Sequence, residues 1–320
     1  MPRSATVATL CLAVICARAE ESVQCEWPNT GRIVAIGDIH GAYDQFVQIL
    51  QAAKVIGEDH QWIAGATRLV QTGDVPDRGA DSRKAYDLLM RLEKEAMAVG
   101  GQVHALIGNH DAWMILGDLR YAVEGEFTAF ATKESAARRA EFLRAHPDVN
   151  PEQLPLGFLE HRAAFSTRGP YGSWIASHNT VIKIGDTLFL HAGLTERYGT
   201  MPLAKLNEMV RAELRQKHDG KARYPVLEDA ESPVMYRGLA LDDEKEIAPL
   251  VDTILRFHKA KRIVIGHTVT YGPIKHRLNG RVVMIDCGMN PIYWEGGGRP
   301  AALEIMGGQL RELYLPEKKL

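Results

Sequence analysis

The chain of 320 residues is 46% hydrophobic and 24% charged, with 38 Lys and Arg against 40 Asp and Glu. This apolar content is enough for a sizeable core in one or two domains, and it excludes disordered and fibrous proteins. The formal charge of −2 gives no basic footprint for a nucleic-acid partner, and four cysteines are too few for a disulfide-stapled scaffold.

The first 19 residues predict a secretory signal peptide. Arg3 precedes an apolar stretch at 5–17, and the small residues Ala17 and Ala19 provide a cleavage site. The apolar stretch is shorter than the ~20 residues that a membrane-spanning helix needs. We therefore expect cleavage near Ala19, export through the secretory pathway to a periplasm, an organelle lumen or the medium, and no stable membrane span afterwards. The alternatives are an N-terminal core helix and an uncleaved anchor.

Alternating strands and helices follow. Six short runs of apolar or β-branched residues predict buried strands, at 32–36, 68–71, 103–107, 188–190, 263–265 and 282–285. Apolar residues recur at helical spacing over 46–53, where Gly57 predicts the helix end, and again over 85–92, where Gly100 and Gly101 do. Repeated strand, loop and helix predict an α/β fold with its functional groups on loops at strand ends.

The pattern changes at about 112–168. This stretch is charged and helical, is interrupted by prolines, and contains no strand signal. We expect a helical insertion within one domain that spans 20–320. A second stretch, at 201–235, predicts a helix followed by an irregular loop.

Five loops at predicted strand ends carry metal-ligand side chains. They are GDIHG (37–41), GDVPDRG (73–79), GNHD (108–111), HAG (191–193) and GHT (266–268). One such loop is weak evidence, because Gly-Asp and Gly-Asn sequences are common in turns. Five together, all with oxygen or imidazole donors and without neighbouring cysteine, suit Mn²⁺, Fe or Zn²⁺ rather than a structural zinc or an iron–sulfur site. The loops therefore predict a two-metal centre.

In this order the five loops resemble the calcineurin-like metallophosphoesterase superfamily, and the DRG at 77–79 narrows the resemblance to its phosphoprotein phosphatase family. The segments at 185–194, 232–238, 266–269 and 285–305 are similar to the Shewanella-like branch of that family. The resemblance implies a four-layer α/β/β/α sandwich. It departs at Asp111, where eukaryotic members carry Glu, but that position is not a metal ligand.

The resemblance also implies how the ligands divide between two ions. The first ion takes Asp38, His40 and Asp74, and the second takes Asp74 as a bridging ligand together with Asn109, His191 and His267. Manganese is the ion we expect, with iron and zinc as alternatives. Two divalent ions, two carboxylates and a bridging hydroxide leave one positive charge, which attracts a phosphate dianion. The hydroxide is then the implied nucleophile.

Four further residues complete the implied catalytic set. His110 is expected to be the general acid that protonates the leaving group, with Asp77 as its partner. Arg78 and Arg237 are expected to bind the phosphate, because guanidinium groups match its geometry and stay charged. Tyr271 is expected either to rim the pocket or to pack in its loop. Asp286 resembles a family position but receives no predicted chemistry.

The implied function is a metal-dependent phosphoprotein phosphatase that hydrolyses phospho-Ser/Thr, phospho-Tyr or both in proteins or peptides. Regulatory subunits of the family do not carry over to this chain. The alternative is a dinucleoside polyphosphate hydrolase, whose family shares GDIHG-, GNHD- and HAG-like loops. A catalytically inactive binding module would require missing ligands, and all the expected positions are filled.

Overall fold

Two β-sheets form the centre of the molecule. The computed structural model describes residues 23–28, 31–216 and 222–315, so the predicted signal peptide lies outside the described residues. The strands are β1 (Glu26–Trp27), β2 (Ile33–Ile36), β3 (Arg68–Gln71), β4 (Gln102–Ala105), β5 (Val181–Ile184), β6 (Thr187–Leu190), β7 (Arg262–Ile265), β8 (Lys275–Arg277), β9 (Val282–Met284), β10 (Ala301–Met306) and β11 (Gln309–Tyr314). The helices are α1 (Tyr43–Ala52), α2 (Ser82–Ala98), α3 (Asn109–Leu116), α4 (Glu124–Thr128), α5 (Ser135–Ala145), α6 (Phe158–Ala164), α7 (Pro170–Ile175), α8 (Glu196–Gly199), α9 (Leu203–Leu214), α10 (Gly238–Leu241) and α11 (Glu244–Phe257).

The centre of each sheet is parallel. One sheet has the strand order β1-β5-β6-β7-β9-β8, and the other has the order β11-β10-β2-β3-β4. Strands β2, β3 and β4 are parallel, as are β6, β7 and β9. Parallel neighbours require a crossover connection, and α1, α2 and α11 lie in three of these connections. The alternation of strands and helices in the sequence therefore corresponds to real crossover units.

The two sheets pack on one another, and helices cover their outer faces. Alternate residues of a strand point to opposite faces, so Ile33 and Ala35 of β2 join a core with Phe189 of β6 between the sheets. Val34 and Ile36 instead join the larger core that contains the helices. Helices α1 and α2 contact the five-stranded sheet, and α9 contacts β5 of the other sheet. The predicted four-layer α/β/β/α sandwich is confirmed.

Helix α1 ends five residues before the predicted stop at Gly57. Its last residue is Ala52, and Lys54 takes a left-handed φ of 53° just after it. The amides of Lys54 and Val55 then return to the carbonyls of Gln51 and Leu50, at 2.8 Å each. This is the hydrogen-bond pattern of a Schellman motif. The prediction was wrong here because a lysine, rather than a glycine, occupies the left-handed position.

The chain between β4 and β5 is helical. It contains α3 to α7 and a 3₁₀ turn at Pro151–Gln153, and no strand is assigned within 109–175. The helical stretch begins at Asn109, inside the predicted metal loop, rather than at 112. The predicted helix within 201–235 is α9, and the described loop residues 222–237 precede α10.

Strands β2, β3, β4, β6, β7 and β9 all point their carboxyl ends toward the loops that carry the predicted site. In such sheets ligands bind beside the carboxyl ends of the strands. Within the described ranges, no helix is long and apolar enough to cross a membrane.

Candidate metal centre and phosphate pocket

The structure brings all ten predicted site residues together at one edge of the sandwich. The six predicted metal ligands are each no more than 6% exposed. A cavity of about 330 Å³ opens above them, and its walls include His40, Asp74, His110, Arg78 and Arg237. Three of the predicted ligands, His40, Asp74 and His267, therefore line a pocket that is open to solvent, and the other three lie beneath it.

Two glycines allow the loops to approach one another. A Cβ on Gly108 would lie 2.3 Å from Oδ1 of Asp74. A Cβ on Gly73 would lie 2.9 Å from Nδ1 of His191, and Gly73 also has a left-handed φ of 98°. Any larger residue at either position would push these loops apart. Glycine before Asp74 and before Asn109 is therefore required by the close packing of the loops.

The carboxylate of Asp74 lies at the centre of the donor atoms. Its Oδ1 accepts a hydrogen bond from the His110 amide at 2.9 Å. Its Oδ2 lies 3.3 Å from Nε2 of His191 and 3.8 Å from Nε2 of both His40 and His110. This central position is the one that a ligand shared by two ions needs.

The remaining donors fall on the two sides of Asp74. On one side, Nε2 of His40 lies 3.9 Å from Oδ2 of Asp38. On the other, Nε2 of His191 lies 2.9 Å from Oδ1 of Asn109 and 3.0 Å from Nδ1 of His267. These are the separations of atoms that face a common centre. The carboxylates and imidazoles that could hold an ion group as His40, Asp74 and His110 and as Asp74, His191 and His267.

The second ring nitrogen of each predicted histidine ligand faces a backbone carbonyl. Nδ1 of His40 lies 2.9 Å from the Pro76 carbonyl oxygen, and Nδ1 of His191 lies 2.8 Å from that of Thr72. Nε2 of His267 lies 3.2 Å from the Met235 carbonyl oxygen. Since a carbonyl only accepts, that nitrogen carries the proton, and the other nitrogen presents its lone pair to the site. Metal-binding histidines are oriented in this way.

The charge of the site also fits cations. Burial, together with the neighbouring carboxylates of Asp286 and Asp74, raises the pKa of Asp38 well above its usual range. Burial lowers the pKa of His40 to about 3 and that of His267 to about 2, so both rings are neutral at pH 7. These two rings therefore add no positive charge against the carboxylates. His191 differs, because burial opposes its charged form but the Asp74 carboxylate raises its pKa above the usual value. Divalent ions would balance the crowded carboxylates. The donor set thus suits a dinuclear metal site.

His110 differs from these ligands in its partner. Its Nδ1 forms a hydrogen bond with the Asp77 carboxylate, and its Nε2 lies 3.3 Å from Nη2 of Arg78. Distance to Asp74 alone does not separate His110 from His40, since both are at 3.8 Å. A carboxylate partner stabilises the charged imidazolium, which a proton donor needs and a metal ligand does not. The geometry suits an acid role, which stays a prediction.

Arg78 and Arg237 present donors to the pocket from different segments. The Nε atom of Arg78 is buried and has no acceptor. Arg237 uses Nη1 to bond the His267 carbonyl at 2.9 Å and Oγ1 of Thr268 at 3.1 Å, so its guanidinium is held beside a predicted ligand. A buried guanidinium donor without a partner suits an oxyanion.

Backbone strain is concentrated in these loops. Five of the ten predicted site residues have left-handed φ values: His40 at 49°, Asp74 at 59°, Asp77 at 72°, Arg78 at 66° and His267 at 64°. Each such conformation costs about 1–3 kcal/mol and persists only where the surroundings enforce it. The surrounding structure therefore enforces strained loop conformations that direct these side chains toward the site.

The chain matches a known protein family. The family model described as calcineurin-like phosphoesterase matches residues 31–271, which is more than half of the chain.

The chain belongs to the calcineurin-like phosphoesterase family. An uncharacterized protein of Schizosaccharomyces pombe is 32% identical to this phosphoesterase over 282 residues, covering 85% of this chain and 76% of that protein. Shewanella-like protein phosphatase 2 of Arabidopsis thaliana is 28% identical over 305 residues, covering 89% and 78%. A cold-active protein-tyrosine phosphatase of a psychrophilic Shewanella superposes with a TM-score of 0.71 at 26% identity, covering 92% of this chain and 83% of that one.

These matches confirm the predicted superfamily and its Shewanella-like branch. The predicted alternative has weaker support. A symmetrical bis(5'-nucleosyl)-tetraphosphatase of Neisseria gonorrhoeae is 25% identical over 186 residues, which covers 57% of this chain and 51% of that protein.

The sequence analysis missed several residues that shape the site of this phosphoesterase. The guanidinium of Arg78 lies over the rings of Tyr121, at 5.0 Å, and Tyr293, at 5.7 Å. Tyr293 also lines the pocket, together with Tyr271 and Leu241. Tyr271 is 54% exposed and lies on the rim of the pocket, which is one of the two positions predicted for it. No local motif marks Tyr121, because its role depends on how the helical stretch folds back.

Asp111 is a second residue whose role the sequence did not give. Its Oδ2 accepts hydrogen bonds from the amides of Asp74, at 2.7 Å, and Gly108, at 2.9 Å. The hydroxyl of Tyr86 donates to its Oδ1 at 2.6 Å. Asp111 therefore ties two of the strand-end loops together from beneath.

Proposed function

We propose that this chain is a metal-dependent protein phosphatase that acts on phosphotyrosine. One observation carries the proposal: a single pocket joins an acid pair and two arginines to the donor set, and tyrosine rings line its mouth. The 26% identity to a protein-tyrosine phosphatase over most of both chains supports it.

The phosphate would be bound by the arginines. Without phosphate, Nη2 of Arg78 is positioned to donate to an unprotonated Nε2 of His110 at 3.3 Å. A phosphate dianion is a stronger acceptor than an imidazole, so it would draw Nη2 and the unpartnered Nε of Arg78 toward its own oxygens. Arg237 would bind from the side of His267, to which it is already anchored.

The leaving group would take its proton from Nε2 of His110, which carries one once Nη2 of Arg78 has turned from it to the phosphate. Nδ1 of His110 is fixed by Asp77, so Nε2 is the nitrogen that faces the pocket. Burial raises the pKa of Asp77, but its hydrogen bond to His110 favours the carboxylate. Such a pair orients the ring and stabilises its charged form, as general acid catalysis requires.

Two divalent ions would be held by the six ligands described above, and we propose Mn²⁺ as the physiological ion. Oxygen and imidazole donors suit Mn²⁺, Fe and Zn²⁺, so restoration of activity by each metal chooses between them. When bound, the ions supply Lewis-acid activation of water and of the phosphoryl oxygens.

The substrate preference is argued from the mouth of the pocket. Tyr271 and Tyr293 are ring neighbours at 6.2 Å, and both line the cavity with Leu241. A phenyl phosphate would place its ring against these side chains while its phosphate reaches the arginines. Seryl phosphate has no ring to fill that space, so we expect it to bind less well.

The test is hydrolysis of matched phospho-Tyr and phospho-Ser/Thr peptides by protein starting at Glu20, metal-stripped and with added Mn²⁺. We expect Mn²⁺-dependent turnover with the phospho-Tyr peptide preferred. Turnover of a dinucleoside tetraphosphate without peptide turnover would overturn the substrate class in favour of the alternative. Zinc or iron restoring more activity than manganese would overturn the metal assignment.

We also propose that residues 1–19 direct export and are removed. The proposal rests on their basic start, apolar stretch and Ala-Arg-Ala ending. The mass and N-terminal sequence of the protein from its native cells test it, and we expect a chain that starts at Glu20. An intact Met1 would overturn it.

A further inference from the structure

The turn that carries Asp77 and Arg78 is held in an unfavourable conformation. Both residues are non-glycine and left-handed, with φ values of 72° and 66°. Within the turn, the Gly79 amide bonds the Asp77 carbonyl at 2.8 Å. Two consecutive strained residues cost about 2–6 kcal/mol together, so groups outside the turn have to stabilise them.

Both strained amides donate to the helical stretch that follows α3. The amide of Asp77 donates to Oε1 of Glu126 at 3.0 Å, and the amide of Arg78 donates to the carbonyl of Tyr121 at 3.0 Å. The two acceptors lie about 45 residues from the turn in sequence. The conformation of the turn therefore depends on a segment to which the sequence assigned no role.

Of these two acceptors, Glu126 accepts through its side chain and Tyr121 through its backbone carbonyl. It is 2% exposed, and the hydroxyl of Ser82 at the start of α2 also donates to its Oε1. Its Oε2 accepts from the Val123 amide at 3.3 Å. One buried carboxylate thus joins the turn, α2 and α4.

The packing on either side of Glu126 keeps α4 in place. A Cβ on Gly125 would lie 2.4 Å from Cβ of Ala80, so only glycine allows α4 to approach the turn this closely. Nη1 of Arg83 donates to the Ala129 carbonyl at 2.5 Å, and its guanidinium lies 4.9 Å from the ring of Phe130. Glu126 is therefore fixed relative to the turn.

We propose that Glu126 is a positioning residue for the acid and phosphate-binding pair: by accepting the Asp77 amide, it holds the turn so that Asp77 meets His110 and Arg78 faces the phosphate. The inference rests on the proposed function of that pair. Glu126 does not line the pocket and does not touch the substrate. Its effect passes through the backbone of the turn.

The leaving group distinguishes this role from general stabilisation. p-Nitrophenolate leaves without a proton, whereas phenolate benefits from one, so a misplaced acid affects phenyl phosphate more. A well-placed general acid contributes ~10²–10⁴-fold. We expect Glu126→Ala to lower kcat on phenyl phosphate by roughly 10- to 100-fold and on p-nitrophenyl phosphate by only about 2- to 5-fold, since it would lose part of that contribution.

Two further variants serve as matched controls. Glu126→Gln keeps an oxygen acceptor for the Asp77 amide and is expected to stay within about threefold of wild type on both substrates, as retention of a hydrogen bond implies. Glu124→Ala removes an exposed carboxylate from the same helix and should change neither rate. All variants should keep wild-type metal content, because none alters a ligand. Should Glu126→Ala not fold, Glu126→Asp shortens the side chain and should show the same substrate dependence more weakly.

An equal loss on both substrates, or no loss on either, would overturn the inference while leaving the phosphatase proposal intact. Wild type that hydrolyses neither substrate would overturn the proposed function instead. In that case hydrogen exchange at the amides of Asp77 and Arg78 decides the positioning role. Faster exchange in Glu126→Ala than in Glu126→Gln supports it, and equal exchange contradicts it.

Discussion

The strand-end loops line the pocket, whereas the helical stretch of α4 to α7 supports one of those loops from outside it. The two regions hold their residues in place by different means. In the loops, polar side chains are fixed by backbone groups, as when the Thr72 carbonyl orients His191. In the helices, rings pack on rings: His161 lies 4.7–5.2 Å from the rings of Phe127, Phe130 and Phe165. The loops carry the chemistry, and the helices determine how one of the loops is bent.

This contrast explains why the two regions differ in how their residues can be substituted. A metal loop fails when one donor changes. The helical stretch contributes through volume and a few buried polar contacts, so its changes should be graded. The following predictions test that division, from the largest expected effect to the smallest.

Asp74→Asn should abolish function at the metal loops. The substitution removes the charge at the centre of the donor atoms, where Oδ2 faces three imidazoles. We expect loss of bound metal and a fall in turnover of at least about 10³-fold, since the charge stabilisation that the ions supply is worth several kcal/mol. Metal analysis and p-nitrophenyl phosphate hydrolysis measure both effects. The exposed Asp59→Asn is the control, and normal metal content in Asp74→Asn would contradict the assignment.

His110→Asn should lower turnover without removing metal. The variant loses the nitrogen that faces the pocket, and we expect kcat on phenyl phosphate to fall by ~10²–10⁴-fold, the contribution of a general acid. The same metal analysis separates this outcome from that of Asp74→Asn. If metal is lost as well, His110 belongs among the ligands, which its 3.8 Å distance to Asp74 would then explain.

Glu126→Gln should stabilise the protein at high pH. Burial, and then the charge of Asp77, raise the pKa of Glu126 to about 7 from its usual 4.5. The folded state therefore prefers the protonated form, and stability is lost as the pH rises from about 4.5 to about 7. Gln is always neutral. We therefore expect the free energy of unfolding of Glu126→Gln to exceed that of wild type by up to about 3 kcal/mol at pH 8, and this difference should vanish near pH 4.5. Urea denaturation of both proteins at the two pH values measures it, and a pH-independent difference would contradict the burial argument.

His161→Phe should stabilise the protein at low pH, by less than Glu126→Gln stabilises it at high pH. Burial lowers the pKa of His161 to about 3, and its Nδ1 has no partner. Wild type should therefore lose stability as the pH falls below the usual 6.5, by about 2 kcal/mol at pH 5 relative to the Phe variant. Thermal or urea denaturation at pH 5 and 7.5 measures this. Unchanged turnover is also expected, since His161 lies away from the pocket; reduced turnover would show that the helices affect the loops more directly.

Much of the metal side could be predicted from sequence because its signals are local. Each loop carries a strand, a glycine and a donor within a few residues, and the same steric need that selects Gly73 and Gly108 places the donors. Six strands followed for the same reason, since short β-branched runs that end at such loops have few other structures available. Strands β1, β5, β8, β10 and β11 do not end at such loops and were not predicted.

The acid side could not be predicted to the same depth because its contacts are distant in sequence. Glu126 lies in a charged helical stretch where an exposed carboxylate is the ordinary expectation, and only its packing against Asp77 and Ser82 shows its role. Tyr121 contributes a backbone carbonyl, which no side-chain pattern can reveal. The helix end at Ala52 failed for a simpler reason, since Lys54 occupies a conformation usually given to glycine.

The predicted metal donors come from both sheets, and this couples ion binding to the stability of the folded protein. The His267 amide bonds the carboxylate of Asp38 across 229 residues of sequence, so the binding site exists only after the two halves have docked. Ions that bind only the docked state add their binding free energy to folding, about 1.4 kcal/mol for each tenfold excess over Kd. Cation supply would then set the resistance of the chain to unfolding and proteolysis, and a metal-poor environment would shorten its survival before any substrate is met.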